Sequence, residues 1–592
     1  MPMWIAVEMP GANRAGRGDF VWRGEERSSA GGCEGGVGAR RSLGANCNDG
    51  RGRSTLEIMN NHGMAAGGWD RAGAVARIRR AYDLELFQQS GQGLIKQLTG
   101  HLRRCGESAG RVLNWNDPRL LTAEAADELA RALPVEASAA ALADRFGELV
   151  ELTLARGINL HDPRYVGHQV PAALPLAGLW DGLGAVINNP MAIYEMGPFV
   201  TAAEQAVVGD LLQRVGWGPP AGADLATAGA TGGVVEPVAG GGGIVTHGAS
   251  LANLTAMLVA RNVALGGSWE RGVLAECLAA GGKPAKLVVQ ADAHYCLARS
   301  AGILGLGTEQ VVPAAVDERR RMCPQRLDET LRKLRREGFP IVAVAASACA
   351  TPIGAFDPLE AVAEVCERHD VWLHVDAAHG GAVLFSRRHR SLLSGCERSH
   401  SLTWDAHKML FVPALCAFLL YRDRGSSYRA FQQAAPYLFD PSGPDLRDYD
   451  GGLRTVECTK RGAALGLWGV WSLFGPGLFE DLVDVTFALG RSLHEKLQAA
   501  DDFEALHEPE CNIVVFRHIP ARLRGATPAE VGAFQLRVRR RAIESGETYL
   551  VPGSFGGVPA LRCTLMNPLT TPDDLDQLLE TLRRHGQVDA AA

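Results

Sequence analysis

Short apolar segments alternate with helical patterns from about Ala185 to Asp450, and this alternation constrains the fold more than any other feature of the sequence. The segments are bounded by turn residues and are rich in Val, Leu, Ile and aromatic residues: AKLVVQ, PIVAVAAS, VWLHVDA, HSLTW and CAFLLYR. Strands that alternate with helices in this way build a sheet with helical crossovers. The pattern predicts an α/β domain with a mostly parallel central sheet and helices on both faces.

The flanking parts of the chain carry different patterns. Residues 76–184 read as a helical N-terminal segment, and residues 456–592 mix helices with the strand-like segments NIVVFRH and ALRCTLM, which predicts a small α+β C-terminal domain. Residues 1–75 are rich in Gly and Arg and show neither hydrophobic period, so we expect a disordered leader. The remaining part, residues 185–455, is the large domain.

Composition excludes several classes of protein. The chain has 592 residues, 46% hydrophobic and 21% charged, with a formal charge of −6 and no long basic face, so we expect no nucleic-acid partner. No apolar run approaches the roughly 18 residues that span a bilayer, so we expect no membrane insertion. The 13 cysteines are scattered without a C-x-x-C pair, which favours reduced thiols and a cytoplasmic location.

A lysine at the end of an apolar strand poses a chemical question. In SLTWDAHKMLFVP, Lys408 follows Asp405 and His407 at the end of such a segment. A charged ammonium in that position costs free energy unless it is paired, exposed or used in chemistry.

An aspartate ends the neighbouring apolar segment VWLHVDAAHGG. Ligands of open α/β sheets lie beyond the carboxyl ends of the strands, which is where Asp376 falls. The competing interpretations are an aspartate that caps the next turn, and a metal site built from His374, Asp376 and His379. No further His or carboxylate cluster completes a ligand set, so we expect no metal.

Two further motifs carry polar groups at strand ends. In GGGGIVTHGASLANLTAMLVARN, glycines lead through Gly248, Ala249 and Ser250 into a helix, which favours a single phosphate site. The motif lacks the order of a dinucleotide fingerprint or a P-loop. His294, in QADAHYCLARS, alone is more typical of a core or capping residue.

Taken together, these residues match the requirements of pyridoxal phosphate. Its aldehyde needs an amine, Lys408, and its ring nitrogen needs a carboxylate, Asp376. Its phosphate needs donors, which we assign to His407 and to residues 248–253. Its ring face needs a flat partner, which we assign to His294.

The chain resembles the group II pyridoxal-phosphate-dependent amino-acid decarboxylases, the family of glutamate, diaminobutyrate, cysteine-sulfinate and aromatic amino-acid decarboxylases. Ordered blocks from about residue 90 to the C-terminus carry the resemblance: HDPRYVG, IYEMGPFVTAAEQ, GASLANLTAMLVARN, AHYCLARSAGILGLG, GAFDPL, HVDAAHGG, WDAHKML, YLFDP and LRCTLMNPLTT. The resemblance implies the fold of type I pyridoxal-phosphate enzymes and a homodimer.

The resemblance also implies residue roles. Lys408 matches the Schiff-base lysine, Asp376 the ring-nitrogen partner and His294 the stacking histidine, and the other cofactor-binding positions are Gly248, Ala249, Ser250, Ala378, Asp405 and His407. Arg562 matches the arginine that binds the substrate carboxylate. Tyr437 matches a tyrosine that returns a proton to the substrate α-carbon. His168 or Gln169 falls in the region that recognises the substrate side chain.

The chain departs from the family pattern at three places. The family commonly reads A-G-T-T before the GAFDP block, whereas this chain has Cys349 in place of the glycine and Ala350 in place of a threonine. The phosphate loop reads HGAS where relatives have GGS or GGT. His379 stands where Tyr or Trp is frequent.

The functional prediction is a pyridoxal-phosphate-dependent L-amino-acid decarboxylase that releases carbon dioxide and a primary amine. Its expected substrate is an acyclic polar amino acid such as glutamate, cysteine sulfinate or 2,4-diaminobutyrate. The alternatives are oxidative deamination or transamination on the same fold, and an inactive regulatory homologue.

Overall fold

The computed structural model describes residues 70–134, 137–218, 240–431, 446 and 448–588. The predicted helical N-terminal segment is present as α1 (Arg71–Ala81), α2 (Leu84–Gly106), α3 (Pro118–Ala130), α4 (Ala139–Arg156) and α5 (Pro175–Ile187), and a further helix, α6 (Pro198–Val215), precedes the sheet. Their starts follow ordinary capping chemistry. The Asp83 carboxylate, for example, accepts hydrogen bonds from the first backbone N–H groups of α2, which have no partner within the helix.

The central sheet has seven strands in the order β1-β7-β6-β5-β4-β2-β3. The strands are β1 (Gly242–Thr246), β2 (Lys286–Gln290), β3 (Val311–Ala314), β4 (Ile341–Ser347), β5 (Leu373–Asp376), β6 (Ser401–Asp405) and β7 (Ala417–Tyr421). Neighbours from β3 to β6 are parallel, whereas β7 runs antiparallel to both β6 and β1. The predicted mostly parallel sheet is confirmed.

The strands β1 and β3 were not predicted from the sequence. The strand β1 begins with two glycines, which weaken the apolar pattern of a strand. Packing explains one of them, since a Cβ atom on Gly243 would lie 2.7 Å from the Leu420 side chain and 2.8 Å from that of Val208.

Helices cover both faces of the sheet, as predicted. The chain between β1 and β6 contributes α7 (Ala249–Ala264), α8 (Ser268–Arg271), α9 (Val273–Ala279), α10 (Cys296–Ile303), α11 (Pro324–Arg336) and α12 (Leu359–Arg368). Alternate strand residues divide between two cores: Val288 and Val344 pack with residues of α6, α11 and α12, whereas Leu287 and Ala343 pack with residues of α7 and α10.

The C-terminal part is α+β, as predicted. It contains α13 (Leu465–Phe474), α14 (Gly477–Ala499), α15 (Pro528–Ser545), α16 (Pro572–Gln587), β8 (Phe503–Ala505), β9 (Ile513–His518), β10 (Val551–Phe555) and β11 (Val558–Thr564). These four strands form an antiparallel sheet in the order β10-β11-β9-β8. Residues such as Phe516, Phe534 and Leu561 make its core.

The topology gathers polar residues at one edge of the central sheet. Ser347, Asp376 and Asp405 end the parallel strands β4, β5 and β6. Ser347 lies opposite Asp376 in the register, and Thr403 lies opposite Asp376 on the other side. Within the described ranges, no helix combines the length and the apolar character needed to cross a membrane.

Candidate active site

A cavity of about 290 Å³ lies at this edge of the sheet. It collects the predicted cofactor-binding residues from separate motifs: Gly248, Ala249, Ser250, His294, Asp376, Ala378, Asp405, His407 and Lys408. These predicted residues alone place an amine, two carboxylates and two imidazole rings around one space.

Lys408 is held by the aspartate three residues before it. Its Nζ lies 3.1 Å from Oδ2 of Asp405, a residue whose side chain is 2% exposed. Burial acts to lower the pKa of Lys408, but the charges of Asp405 and Asp376 outweigh burial and raise it above the ordinary value. This answers the question that the sequence posed, because the ammonium is paired and faces a cavity.

Asp376 is fixed through both of its oxygens. Oδ1 accepts a hydrogen bond from the backbone N–H of Ala378 at 3.1 Å, and Oδ2 accepts one from Nδ2 of Asn253 at 2.9 Å. The residue is 9% exposed. A carboxylate oxygen has about two acceptor sites, so Asp376 can accept a further hydrogen bond from a ligand in the cavity.

The predicted phosphate loop forms the start of α7. Gly248 precedes the helix with φ of 102°, a conformation that favours glycine. The first N–H groups of a helix have no partner within it, so Ala249 and Ser250 offer donors at the positive end of the helix dipole. The side chain of Asn253 turns to Asp376 instead, although sequence analysis counted residues up to 253 as phosphate donors.

The two histidines predicted to bind the cofactor, His294 and His407, have different neighbours. Nδ1 of His407 lies 2.9 Å from the Cys416 carbonyl oxygen, and its Nε2 lies 3.6 Å from Asp405 Oδ2. His294 follows β2, and its ring centroid lies 4.1 Å from that of Tyr295. Burial lowers the pKa of His294, which favours a neutral ring suited to stacking.

Arg562 is a buried cation that pairs with no carboxylate of the described residues. It lies on β11 with 6% exposure, and its Nε and Nη2 atoms find no hydrogen-bond partner among the described residues. Burial lowers its pKa. It lines a depression of about 300 Å³ together with Thr351, a residue that also lines the cofactor cavity.

The predicted side-chain-recognition residues do not line that cavity. His168 is exposed and packs near the Tyr549 ring at 5.7 Å, and Nε2 of Gln169 is buried without a hydrogen-bond partner in the described part of the chain. Tyr437 lies outside the described residues. The roles of all three remain predictions.

The residues that depart from the family pattern lie in or beside the cavity. Cys349 lines it, adopts φ of 79° and places its Sγ 3.6 Å from that of Cys511. That left-handed conformation explains why a glycine suits this position. Nε2 of His379 lies 2.9 Å from Asn512 Oδ1, and burial lowers the pKa of His379 to about 3, so its ring is neutral.

Asn253 was not predicted as a partner of Asp376, and Cys511 and Asn512 were not predicted from the sequence at all. Asn253 lies one helical turn after Ala249 on α7, so helical spacing places both on one face. The contacts of Cys511 and Asn512 with the cavity residues Cys349 and His379 join positions more than 130 residues apart. No local pattern encodes such contacts.

The chain matches the pyridoxal-dependent decarboxylase conserved domain over residues 127–519. It is 30% identical over 495 residues to rat (Rattus norvegicus) cysteine sulfinic acid decarboxylase, covering 82% of this chain and 93% of the relative. It is also 30% identical over 455 residues to acidic amino acid decarboxylase GADL1 of Mus musculus, covering 75% and 77%. The crystal structure of mouse CSAD superposes with a TM-score of 0.74 at 28% identity, covering 85% of this chain and 99% of that chain.

The fold and the cavity define an enzyme of the pyridoxal-phosphate type. The chain belongs to the pyridoxal-dependent decarboxylase family and is a pyridoxal-phosphate-dependent amino-acid decarboxylase. The residues present fit this cofactor. An amine, a carboxylate with free acceptor sites and a helix start with positive-φ glycine face the same cavity, and Oδ1 of buried Asp405 is left without a hydrogen-bond partner among the described residues.

Proposed function

We propose that the enzyme decarboxylates an acidic L-amino acid and releases carbon dioxide and the corresponding primary amine. The single observation that carries amino-acid binding is Arg562, a buried guanidinium that no carboxylate of the described residues neutralises and that would bind the α-carboxylate of the substrate. A buried unpaired charge is costly, so such a residue favours an anionic ligand. The acidic class is supported by the names of the rat and mouse relatives, which act on cysteine sulfinate and on acidic amino acids.

The charges around the cavity argue against a cationic side chain. Its two carboxylates are already engaged, since Asp405 pairs with Lys408, and Asp376 accepts a hydrogen bond from Asn253 and would face the ring nitrogen of the cofactor. Burial is the largest cause that lowers the pKa of His168, and the charges of Arg562 and Arg539 lower it further, so the charged groups that act on His168 are positive. A diaminobutyrate side chain would meet like charge there, whereas a sulfinate or carboxylate would meet opposite charge.

Each site residue then has a role in the reaction. The bound cofactor supplies an electron sink for the bond that breaks at the substrate α-carbon. Lys408 would hold the cofactor through its amine, and Asp405 keeps that amine oriented. Asp376 would hold the proton on the ring nitrogen. Arg562 would bind and orient the substrate carboxylate through a bidentate contact.

A substrate comparison tests this function. With purified holoenzyme, we expect kcat/KM for L-cysteine sulfinate, L-aspartate or L-glutamate to exceed that for L-2,4-diaminobutyrate by about 100-fold, since juxtaposed like charges cost several kcal/mol. Carbon dioxide and amine are measured together with keto acid and aldehyde. A preference for diaminobutyrate would contradict the acidic class. Keto acid without carbon dioxide would favour transamination, aldehyde would favour oxidative deamination, and no turnover would favour an inactive homologue.

We also propose that the enzyme is a homodimer in the cytoplasm. The cytoplasmic location is supported by the described cysteines, which are all free thiols. The dimer is supported by α5, where apolar side chains at helical spacing are 40% to 63% exposed: Leu176, Leu179, Leu183, Val186 and Ile187. Exposed apolar patches of this kind mark interaction surfaces.

Sedimentation equilibrium measures the oligomeric state directly. The wild-type protein should have twice the 63.1 kDa mass of the chain. Leu179→Glu should yield monomers, because it places a charge on the apolar face of α5. Leu129→Glu is the matched control, since Leu129 is 84% exposed on α3. A monomeric wild-type protein, or a dimeric Leu179→Glu variant, would contradict the proposal.

A further inference from the structure

A chain of buried side chains runs from the interior of the sheet to Asp376. Trp372, His374 and Asp376 alternate along one extended segment and therefore share one face of it. Ser401 lies opposite His374 on the neighbouring strand β6. Asn253 reaches the same face from α7. We call four of these residues the buried relay: Trp372, Ser401, His374 and Asn253.

Every link of the buried relay has hydrogen-bond length. Nε1 of Trp372 lies 3.0 Å from Oγ of Ser401, which lies 2.8 Å from Nδ1 of His374. Nε2 of His374 lies 2.9 Å from Oδ1 of Asn253, whose Nδ2 lies 2.9 Å from Oδ2 of Asp376. Ser401, His374 and Asn253 are 0% exposed and Trp372 is 9% exposed, so water does not compete for these bonds.

The donors and acceptors give the buried relay a single direction. An indole N–H can only donate, so Oγ of Ser401 accepts from Trp372 and its own hydrogen passes to Nδ1 of His374. The ring proton of His374 then resides on Nε2 and donates to the amide oxygen of Asn253. The amide nitrogen of Asn253 consequently donates to Asp376.

The reverse direction leaves a buried donor unsatisfied. If Asp376 donated to Asn253, the amide would turn and Nδ1 of His374 would carry the ring proton. Ser401 would then face two donors, Trp372 and His374, and its own hydroxyl hydrogen would lose its acceptor. A buried donor without a partner is unfavourable. Burial also lowers the pKa of His374 to about 4, which keeps its ring neutral with one N–H.

We infer that the buried relay positions Asp376 as a fixed hydrogen-bond acceptor for the protonated ring nitrogen of the cofactor. Its members are positioning residues, because they act through Asp376 and touch neither substrate nor cofactor by themselves. The inference rests on the cofactor of the family and is independent of the proposed substrate. His374 was considered above as a metal ligand, whereas both of its ring nitrogens are engaged in the buried relay.

Cofactor affinity of the apo-protein tests the inference without any substrate. Pyridoxal phosphate is titrated into apo-protein, and binding is followed by its visible absorbance. Ser401→Ala removes one hydroxyl from the buried relay and should weaken binding about three- to tenfold, the effect of one buried hydrogen bond. Thr403→Val is the matched control on the same strand, because the Thr403 hydroxyl is equally buried and has no hydrogen-bond partner among the described residues.

A double-mutant cycle separates the relay from simple packing. Trp372→Phe keeps an aromatic ring but removes the N–H. As a single substitution it should weaken cofactor binding, and in combination with Ser401→Ala it should weaken binding little further. Urea denaturation of the apo-proteins checks that each variant is folded. If Ser401→Ala does not fold, the cofactor affinity of Trp372→Phe is compared with that of Thr403→Val instead. The inference is overturned if Ser401→Ala binds as tightly as Thr403→Val, or if the two relay substitutions are additive. A wild-type protein that binds no cofactor would instead refute the cofactor assignment.

Discussion

Lys408→Ala is expected to abolish the visible band of covalently bound cofactor and to lower turnover by roughly three orders of magnitude or more, as removal of a covalent catalytic group does. Lys408 is the one lysine among the residues that line the cavity in the described structure. No neighbouring side chain there offers a second primary amine. The absorbance spectrum and single-turnover kinetics on the reconstituted variant measure both effects.

The same substitution has a separate effect on stability. Asp405 is 2% exposed and pairs with Lys408, so Lys408→Ala leaves a buried carboxylate without its cation. Breaking one side of a buried ion pair costs about 3 kcal/mol or more, and the free energy of unfolding of the apo-variant should fall accordingly. Lys496→Ala, which removes a lysine from an exposed pair with Asp576, should change neither the absorbance band of the cofactor nor the free energy of unfolding. A Lys408→Ala variant that keeps the band would refute the assignment of the lysine.

Sequence could predict the cavity because parallel strands end at the same edge of a sheet. Lys408, Asp376 and His294 each follow an apolar strand, and an α/β fold brings the carboxyl ends of such strands together. The helix start in the predicted phosphate loop was recognisable for a related reason, since a glycine-rich approach to a helix is a local pattern that offers backbone donors to an anion. These features depend on periodicity and strand order, which a sequence carries in its short-range pattern.

Long-range contacts are the part that sequence could not predict. Asn253 and Asp376 are 123 residues apart, and Cys349 and Cys511 are 162 residues apart. Their pairing depends on how helices and loops pack on the finished sheet, and no local pattern specifies it. The strand β1 was missed because it begins with two glycines, one of which, Gly243, is required by close packing against Leu420, and this packing overrides strand propensity.

Arg562→Met is expected to lower kcat/KM for an acidic amino acid by about 100-fold or more while leaving the apo-protein at least as stable as the wild type. The activity falls because a charged, bidentate contact with the substrate carboxylate is lost. The stability does not fall, since methionine replaces a 6% exposed guanidinium that has no carboxylate partner among the described residues. Replacing a buried ionic group by an apolar one of similar volume can stabilise by about 1 kcal/mol or more.

Two further variants sharpen this expectation. Arg562→Lys keeps the charge but loses the planar fork, so its kcat/KM should lie between those of the wild type and Arg562→Met. Arg540→Met removes an arginine whose side chain is 60% exposed and should alter neither kinetics nor stability. Steady-state kinetics and urea denaturation of the apo-proteins give the two readouts. If Arg562→Met lost stability and kept its kcat/KM, the guanidinium would be a structural group and the substrate carboxylate would bind elsewhere. A buried charge that serves only a ligand destabilises the empty protein, so its removal should not lower the free energy of unfolding of the apo-protein.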